Sequence, residues 1–123
     1  MIRRRKADTY AALNYTGVED AMVTRLERAE ILSYLHHHRD RLLGQYSLET
    51  IGVFGSVARS SYTEDSDVDL VVRFLPGTRR IHALKSALRS ELEEAFGRPV
   101  QVASEKYIKP YYRSKILSET VYV

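Results

Sequence analysis

The sequence predicts an α/β (α+β) fold, in which helices pack on one face of a small mixed β-sheet. Two observations support this prediction. Short runs rich in β-branched and apolar residues alternate with longer segments in which apolar residues recur every three or four positions. Glycine and proline residues mark several of the boundaries between these segments. The expected order is helix, strand, short helix, strand, long helix, strand.

The N-terminal part of the chain divides into an arm and a helix. Residues 1–17 contain the basic cluster from Arg3 to Lys6, lack a clear period, and are predicted to form a basic arm or a short helix. The domain is expected to span residues 18–123. From Val18 to Leu43 the apolar residues fall three or four apart, with a gap at His38 and Arg39. This pattern predicts one amphipathic helix with Gly44 as its C-cap.

Two strands and a short helix are expected in the middle of the chain. The first strand is predicted from about Thr50 to Phe54, followed by a short helix from Ser56 to Ser60. The polar loop from Thr63 to Ser66 then leads into a second strand from Asp67 to Phe74. Alternation along this strand places its apolar residues opposite its aspartates.

A long helix follows the second strand. Its apolar residues recur at helical spacing, and Gly97 and Pro99 are expected to end it. A third strand is predicted from Val100 to Ala103. Pro110 suits the first turn of a further helix. The apolar residues that define the long helix are Ile81, Leu84, Leu88, Leu92 and Phe96.

A glycine–serine turn and two aspartates form the main candidate site. Gly55-Ser56 ends the first strand, and Asp67-Val68-Asp69 follows after ten residues. Glycine lets the backbone approach a phosphate closely, and backbone N–H groups at a helix start can bind one. Asp67 and Asp69 are two apart on a strand, so they point to the same face and suit Mg²⁺ that also binds water and phosphate. The pattern predicts metal-assisted transfer on a nucleotide.

Three neighbouring polar residues have alternative interpretations. Ser56 can bind a phosphate, cap the short helix, or do both. Arg59 can reach a phosphate, or it can pair with Glu64 or Asp65 in the following loop. Ser66 can support the metal site, but capping of the loop is the favoured interpretation.

The same residues carry a family resemblance. Val53–Arg59 together with Ser66–Val72 resembles the glycine–serine and paired-aspartate signature of the minimal nucleotidyltransferases, small members of the polymerase beta-like superfamily. The order of elements fits that family from roughly Thr24 to the closing segment Glu119–Val123. The resemblance implies ATP as substrate, Mg²⁺ as cofactor, and a role as antitoxin beside a HEPN-domain ribonuclease toxin. It also implies transfer of AMP onto a tyrosine of that toxin.

One position departs from the family pattern. Members of the family usually carry a third acidic residue on the next strand, where this chain has Gln101 after Gly97-Arg98-Pro99-Val100. An amide supplies a weaker metal ligand than a carboxylate and cannot act as a base. Glu105 would share a strand face with Gln101 only if the strand continued that far, and Ser104 is predicted to turn the chain.

Composition limits the class of protein. The chain has 123 residues, no cysteine and a net charge of +3. The absence of cysteine excludes disulfides and zinc–thiolate sites, and the length favours one small domain that borrows from a partner the second surface needed to position the acceptor. No signal or membrane segment is evident, so a cytoplasmic location is expected. A basic arm without interleaved aromatic residues argues against nucleic-acid binding as the function.

Histidines and tyrosines give two further expectations. The run from His36 to His38 cannot converge on one ion if all three residues lie on a helix, so a solvated helix face is predicted, with Asp40 as a possible ion-pair partner. Four of the nine tyrosines lie in the last seventeen residues. Tyrosine is enriched at protein interfaces, which favours a docking surface there. These four tyrosines are Tyr107, Tyr111, Tyr112 and Tyr122.

Two functions from different classes follow. The favoured one is an antitoxin that adenylylates a tyrosine of its HEPN partner, using Gly55, Ser56, Asp67 and Asp69. The alternative is a catalytically weak or silent antitoxin, with Gln101 in place of the third acid, which neutralises the toxin by binding alone. Transfer of a nucleotide to a small molecule is less favoured because the chain encodes no second substrate-binding domain.

Overall fold

The computed structural model describes residues 26–59, 61, 63 and 66–123, which form a four-stranded mixed sheet with helices. The strands are β1 (Leu48–Phe54), β2 (Val68–Phe74), β3 (Val100–Ser104) and β4 (Val121–Tyr122). Their order in the sheet is β3-β2-β1-β4. Strand β1 pairs antiparallel with β2 and β4, whereas β2 and β3 are parallel. The predicted fold class is confirmed.

Five α-helices and one 3₁₀ helix lie within the described residues. They are α1 (Arg28–His37), α2 (Arg39–Gln45), α3 (Gly55–Ala58), α4 (Ile81–Phe96), the 3₁₀ helix Glu105–Tyr107, and α5 (Pro110–Glu119). Helix α4 has the predicted bounds. Gly97 ends it in the left-handed conformation with φ 68°, which glycine adopts without steric cost. Pro110 begins α5, as expected.

The hydrophobic core lies between one sheet face and helices α1, α2 and α4. Val68, Leu70 and Val72 alternate along β2 and are completely buried in this core. The rings of Tyr34 in α1 and Phe96 in α4 meet edge to face, with centroids 5.5 Å apart. These helices therefore form a single layer on the sheet face opposite Asp69.

A carboxylate between the helices adds polar contacts to this layer. Glu91 of α4 accepts a hydrogen bond from the Tyr46 hydroxyl at 2.6 Å and forms an ion pair with Arg41 of α2. Burial alone would raise the pKa of Glu91, but the hydrogen bonds from Arg41 and Tyr46 outweigh it and lower that pKa. Burial and the same carboxylate raise the pKa of Tyr34 to about 12.

Helix α5 occupies the opposite face of the sheet. Strands β3 and β4 lie at opposite edges, so the segment that joins them must cross the sheet. Arg113 of α5 donates to the backbone carbonyl of Glu105 at 2.6 Å, and Glu105 also pairs with Arg73 at 2.8 Å. Arg73 shares its strand face with Asp69 by alternation. The prediction that the helices pack on one sheet face is therefore correct for α1, α2 and α4. It is wrong for α5, which lies on the other face.

The prediction of one helix from Val18 to Leu43 is wrong within the described residues. The helix breaks at His38, whose φ of −100° and ψ of 11° separate α1 from α2. The break lets Leu35 and Leu42, on different helices, both reach the core. Gly44 lies inside α2, and Tyr46 takes the C-cap position. Residues 18–25 and the proposed arm, residues 1–17, lie outside the described residues.

The histidine run follows this break. His36 and His37 are exposed as expected, but His38 is half-buried, with its ring centroid 4.3 Å from that of Tyr34. Burial, aided by nearby Arg41, lowers the pKa of His38. Asp40 pairs with its neighbour Arg39 at 3.2 Å rather than with a histidine.

Several predicted boundaries shift by one or two residues. Strand β1 begins at Leu48 rather than Thr50, and its register with β2 changes between these two residues. Strand β2 begins just after Asp67. Strand β3 continues through Ser104, which was predicted to be a turn.

Candidate functional site

The candidate site lies where β1 ends and β2 begins. Because the two strands are antiparallel neighbours, the C-terminal end of β1 lies beside the N-terminal end of β2, and Phe54 pairs with Asp69. Gly55 follows Phe54 directly and begins α3. Asp67 lies just before β2. The two parts of the sequence motif, separated by ten residues in the chain, are therefore brought together by strand pairing.

Gly55 is required at its position for two independent reasons. Its φ of 75° lies in the left-handed region, where a side chain is strained. A Cβ atom there would lie 2.3 Å from Oδ2 of Asp69, far inside van der Waals contact. The sequence predicted a close approach of Gly55 to a phosphate. The structure adds a close approach to the carboxylate of Asp69.

Asp67 and Asp69 are both half-buried, and their negative charges repel each other. Burial raises the pKa of Asp69, and the nearby charge of Asp67 raises it further, while Arg59 acts in the opposite direction. A bound cation would relieve this repulsion. Two carboxylates suit one Mg²⁺ that takes its remaining ligands from water and phosphate. Within the described residues, no group of three histidine, cysteine or acidic side chains could hold a metal.

Gln101 lies beside Asp69, where the third acid was expected. The two residues are partners in the parallel register of β2 and β3, so their side chains share a sheet face, and Gln101 is exposed. Glu105 does not compensate for it. Glu105 begins the 3₁₀ helix, is only 5% exposed and forms its ion pair with Arg73. Arg73 is four residues beyond Asp69, roughly 13 Å along β2.

A residue of α1 supports the short helix at the site. Arg28 donates from Nε to the carbonyl of Val57 at 3.0 Å and from Nη2 to that of Ala58 at 3.4 Å. These carbonyls lie at the C-terminal end of α3, where carbonyl groups have no N–H partner within the helix itself. Ser56 is not the N-cap of α3, because the helix begins one residue earlier and Phe54 takes that position. The predicted helix from Ser56 to Ser60 is corrected accordingly.

Arg59 has a partner that the sequence did not predict. Its Nη1 lies 3.0 Å from Oε1 of Glu119, at the end of α5. Neither predicted alternative, a phosphate or the acids Glu64 and Asp65, describes this contact, and both acids lie outside the described residues. Arg59 nevertheless acts on Asp69, since its charge opposes the rise in the pKa of that carboxyl.

Ser66 caps the loop before β2, as the favoured interpretation predicted. Its Oγ accepts a hydrogen bond from the backbone N–H of Thr63 at 2.7 Å. Arg98, for which no role was predicted, is buried beside this loop. Its Nη1 donates to the carbonyls of Thr63 at 2.9 Å and Ser66 at 3.2 Å, and its Nε donates to that of Leu26 at 2.9 Å. Arg98 thereby fixes the approach to Asp67.

Similarity to known proteins agrees with this geometry. The family model of the nucleotidyltransferase domain matches residues 35–123, which include both parts of the motif. This chain belongs to the nucleotidyltransferase family. The protein adenylyltransferase MntA of Thermococcus cleftensis is 35% identical to it over 96 residues, covering 76% of this chain and 93% of that protein.

Solved structures share the fold. A structure assigned to the minimal nucleotidyltransferases matches with a TM-score of 0.67 and 30% identity, covering 78% of this chain and 95% of the other. A toxin–antitoxin complex with AMP-PNP contains a chain that matches with a TM-score of 0.57 and 18% identity, covering 70% of this nucleotidyltransferase and 69% of that chain. Among the described residues of this chain, no helix has the length and apolar character needed to cross a membrane.

Proposed function

We propose that this nucleotidyltransferase is an antitoxin that transfers AMP from ATP to a tyrosine of a partner HEPN-domain ribonuclease. The observation that carries the proposal is the contact of Gly55 with Asp69 beside Asp67, at the start of α3. This geometry combines a backbone open to phosphate with two half-buried carboxylates. The similarity to the adenylyltransferase MntA supports the choice of a protein as acceptor.

Each residue would contribute binding or charge rather than covalent chemistry. Gly55 and Ser56 would hold the phosphates of ATP, and Asp67 and Asp69 would hold Mg²⁺. The ion, when bound, neutralises charge on the phosphates and orients them. The phenolic oxygen of the acceptor tyrosine attacks the α-phosphorus in line, forming a P–O bond while the bond to pyrophosphate breaks. Gln101 cannot accept the phenolic proton, so this proton passes to water.

Exposed tyrosines of the C-terminal region would provide the docking surface for the partner. Tyr111 is 87% exposed, Tyr107 is 68% exposed, and the rings of Tyr111 and Tyr112 meet edge to face with centroids 5.0 Å apart. Large rigid side chains of this kind form interface contacts at a low cost in conformational entropy. The fold shared with a chain of a toxin–antitoxin complex is consistent with such a partner.

The position of Gln101 favours a second candidate function. An exposed amide beside Asp69 leaves the metal site with two carboxylates among the described residues. A site of this kind could bind a nucleotide without transferring it. The chain would then neutralise the ribonuclease by occlusion alone, and the nucleotide pocket would serve regulation or remain as a remnant.

The ribonuclease activity of the HEPN partner distinguishes the two functions. The partner is incubated with this chain, ATP and Mg²⁺, separated from it under denaturing conditions, refolded and assayed. Transfer predicts lasting inhibition with the parent chain and none with the variant D67N/D69N. If the double variant neutralises the partner as fully as the parent before separation, and neither leaves lasting inhibition, occlusion is the function.

The tyrosine surface is tested by measuring the binding of the partner and the binding of ATP separately by titration calorimetry. Y111A/Y112A changes only exposed side chains, so the fold is expected to persist. This variant should bind the partner more weakly and should leave the affinity for ATP unchanged.

A further inference from the structure

The ion pair of Arg59 and Glu119 connects the candidate nucleotide site with the C-terminal segment. Arg59 is the residue after α3, and Glu119 is the last residue of α5. Their side chains are 50% and 26% exposed, with 3.0 Å between Nη1 and Oε1. The two residues are sixty positions apart in the sequence. The contact therefore depends on the fold and not on local chain geometry.

The backbone around Glu119 is held firmly. Thr120 donates from Oγ1 to the carbonyl of Ile116 at 2.7 Å, and its methyl group packs so tightly on Gly52 that a Cβ there would lie 2.5 Å from it. Val121 then pairs with Val53 in the sheet. Glu119 cannot follow a moving partner over a long distance. Arg59 has a long, half-exposed side chain and can change its contact by rotamer changes alone.

Arg59 also lies at the candidate site. It directly follows α3, whose first residue, Gly55, lies against the carboxylate of Asp69. A guanidinium binds phosphate oxygens through two parallel, charge-assisted hydrogen bonds. A partly exposed ion pair with a carboxylate is weaker, because water screens it. Phosphates bound at Gly55 would therefore compete successfully with Glu119 for Arg59.

We propose that Glu119 is a resident counter-ion, which the phosphates of a bound nucleotide displace from Arg59. Glu119 thus lowers the affinity for ATP and keeps the cationic side chain near the site before the nucleotide binds. The exchange breaks the contact between the end of α3 and the end of α5, so nucleotide binding and the Arg59–Glu119 ion pair weaken each other reciprocally. This inference rests on the proposed function, since it requires nucleotide phosphates at Gly55.

Titration calorimetry with a non-hydrolysable ATP analogue and Mg²⁺ tests the exchange on the full chain. E119Q removes the competing charge and should lower the dissociation constant about fivefold, the factor that corresponds to roughly 1 kcal/mol. E49Q is the matched control, because it removes the same charge from a 47% exposed residue near the start of β1. It should leave the dissociation constant unchanged.

A double-mutant cycle separates displacement from a general effect of charge. In an R59Q background, E119Q should change the affinity less than about twofold, because no guanidinium remains to be released. An unchanged or weaker affinity of E119Q itself, or an equal gain in the R59Q background, would overturn the inference. If the parent binds the analogue and E119Q binds it with the same affinity, this inference fails and the proposed function stands. Failure of the parent chain to bind the analogue would remove both this inference and the proposed function.

Discussion

The substitution G55A tests the geometry on which the proposed function depends. The new Cβ would lie 2.3 Å from Oδ2 of Asp69, and the backbone would keep a φ of 75°. The left-handed conformation costs a non-glycine residue about 1–2 kcal/mol. Relief of the contact, by rotation of the carboxylate or a shift of the strand end, costs about 1–3 kcal/mol more.

Two other glycines provide matched controls. Gly77 has nearly the same φ of 79°, but nothing lies within 4 Å of its Cβ position. G77A should therefore lower the free energy of unfolding only by the cost of the left-handed conformation, about 1–2 kcal/mol. Gly44 lies inside α2 with open space around it, so G44A should stabilise the fold by about 0.5–1 kcal/mol. The difference between G55A and G77A isolates the contact with Asp69.

Denaturant unfolding and calorimetric ATP binding provide the assays. G55A should be less stable than the parent by about 2–5 kcal/mol and should lose ATP affinity at least tenfold. If Asp69 rotates away to relieve the contact, stability falls less but the carboxylate no longer faces the site, so ATP affinity is still lost. A G55A variant that matches G77A in stability and the parent in ATP affinity would refute the reasoning.

Three further substitutions have defined outcomes. D69N should stabilise the fold at pH 7 by less than about 1 kcal/mol, because an acid with a raised folded pKa is destabilising while ionised and water screens a half-buried carboxylate. In denaturant unfolding, this gain should shrink as the pH falls below the raised pKa of Asp69 and vanish below the ordinary pKa of an aspartate. R98M should lower the free energy of unfolding by about 3 kcal/mol, because it removes hydrogen bonds to three backbone carbonyls. The control R89M changes an exposed arginine of α4 and should stay within about 0.5 kcal/mol of the parent. E91Q should cost roughly 1.5 kcal/mol at pH 7, and this loss should vanish at acidic pH, because a lowered acid pKa stabilises only while the carboxylate is ionised.

The sequence predicted those elements whose signals are local. Helix α4 has a sustained apolar period and a glycine suited to the left-handed C-cap, and its bounds agree with the prediction. The gap in the apolar pattern at His38 and Arg39 did not predict a break, because the apolar period continues on both sides of it. The position of α5 also lacked a signal, since none of its residues is fully buried and no apolar stripe marks a packing face.

The candidate site shows the same limit. Gly55 and the two aspartates were recognised because residue type and spacing along the chain define them. The partner of Arg59 could not be found in this way, since Glu119 becomes its neighbour only after α5 crosses the sheet. Arg98 likewise binds carbonyl groups that more than thirty residues separate from it in the sequence. A single arginine before Pro99 carries no signal of such contacts.

The intact mass of the HEPN partner, measured after incubation with this chain, ATP and Mg²⁺, tests the proposed transfer most directly. The account predicts a gain of one or more AMP units with the parent chain and with Q101D, and no gain with D67N/D69N. A gain with Q101D alone would contradict transfer by the parent chain and make it a silent binder. No gain with either the parent or Q101D would contradict this tyrosine acceptor altogether.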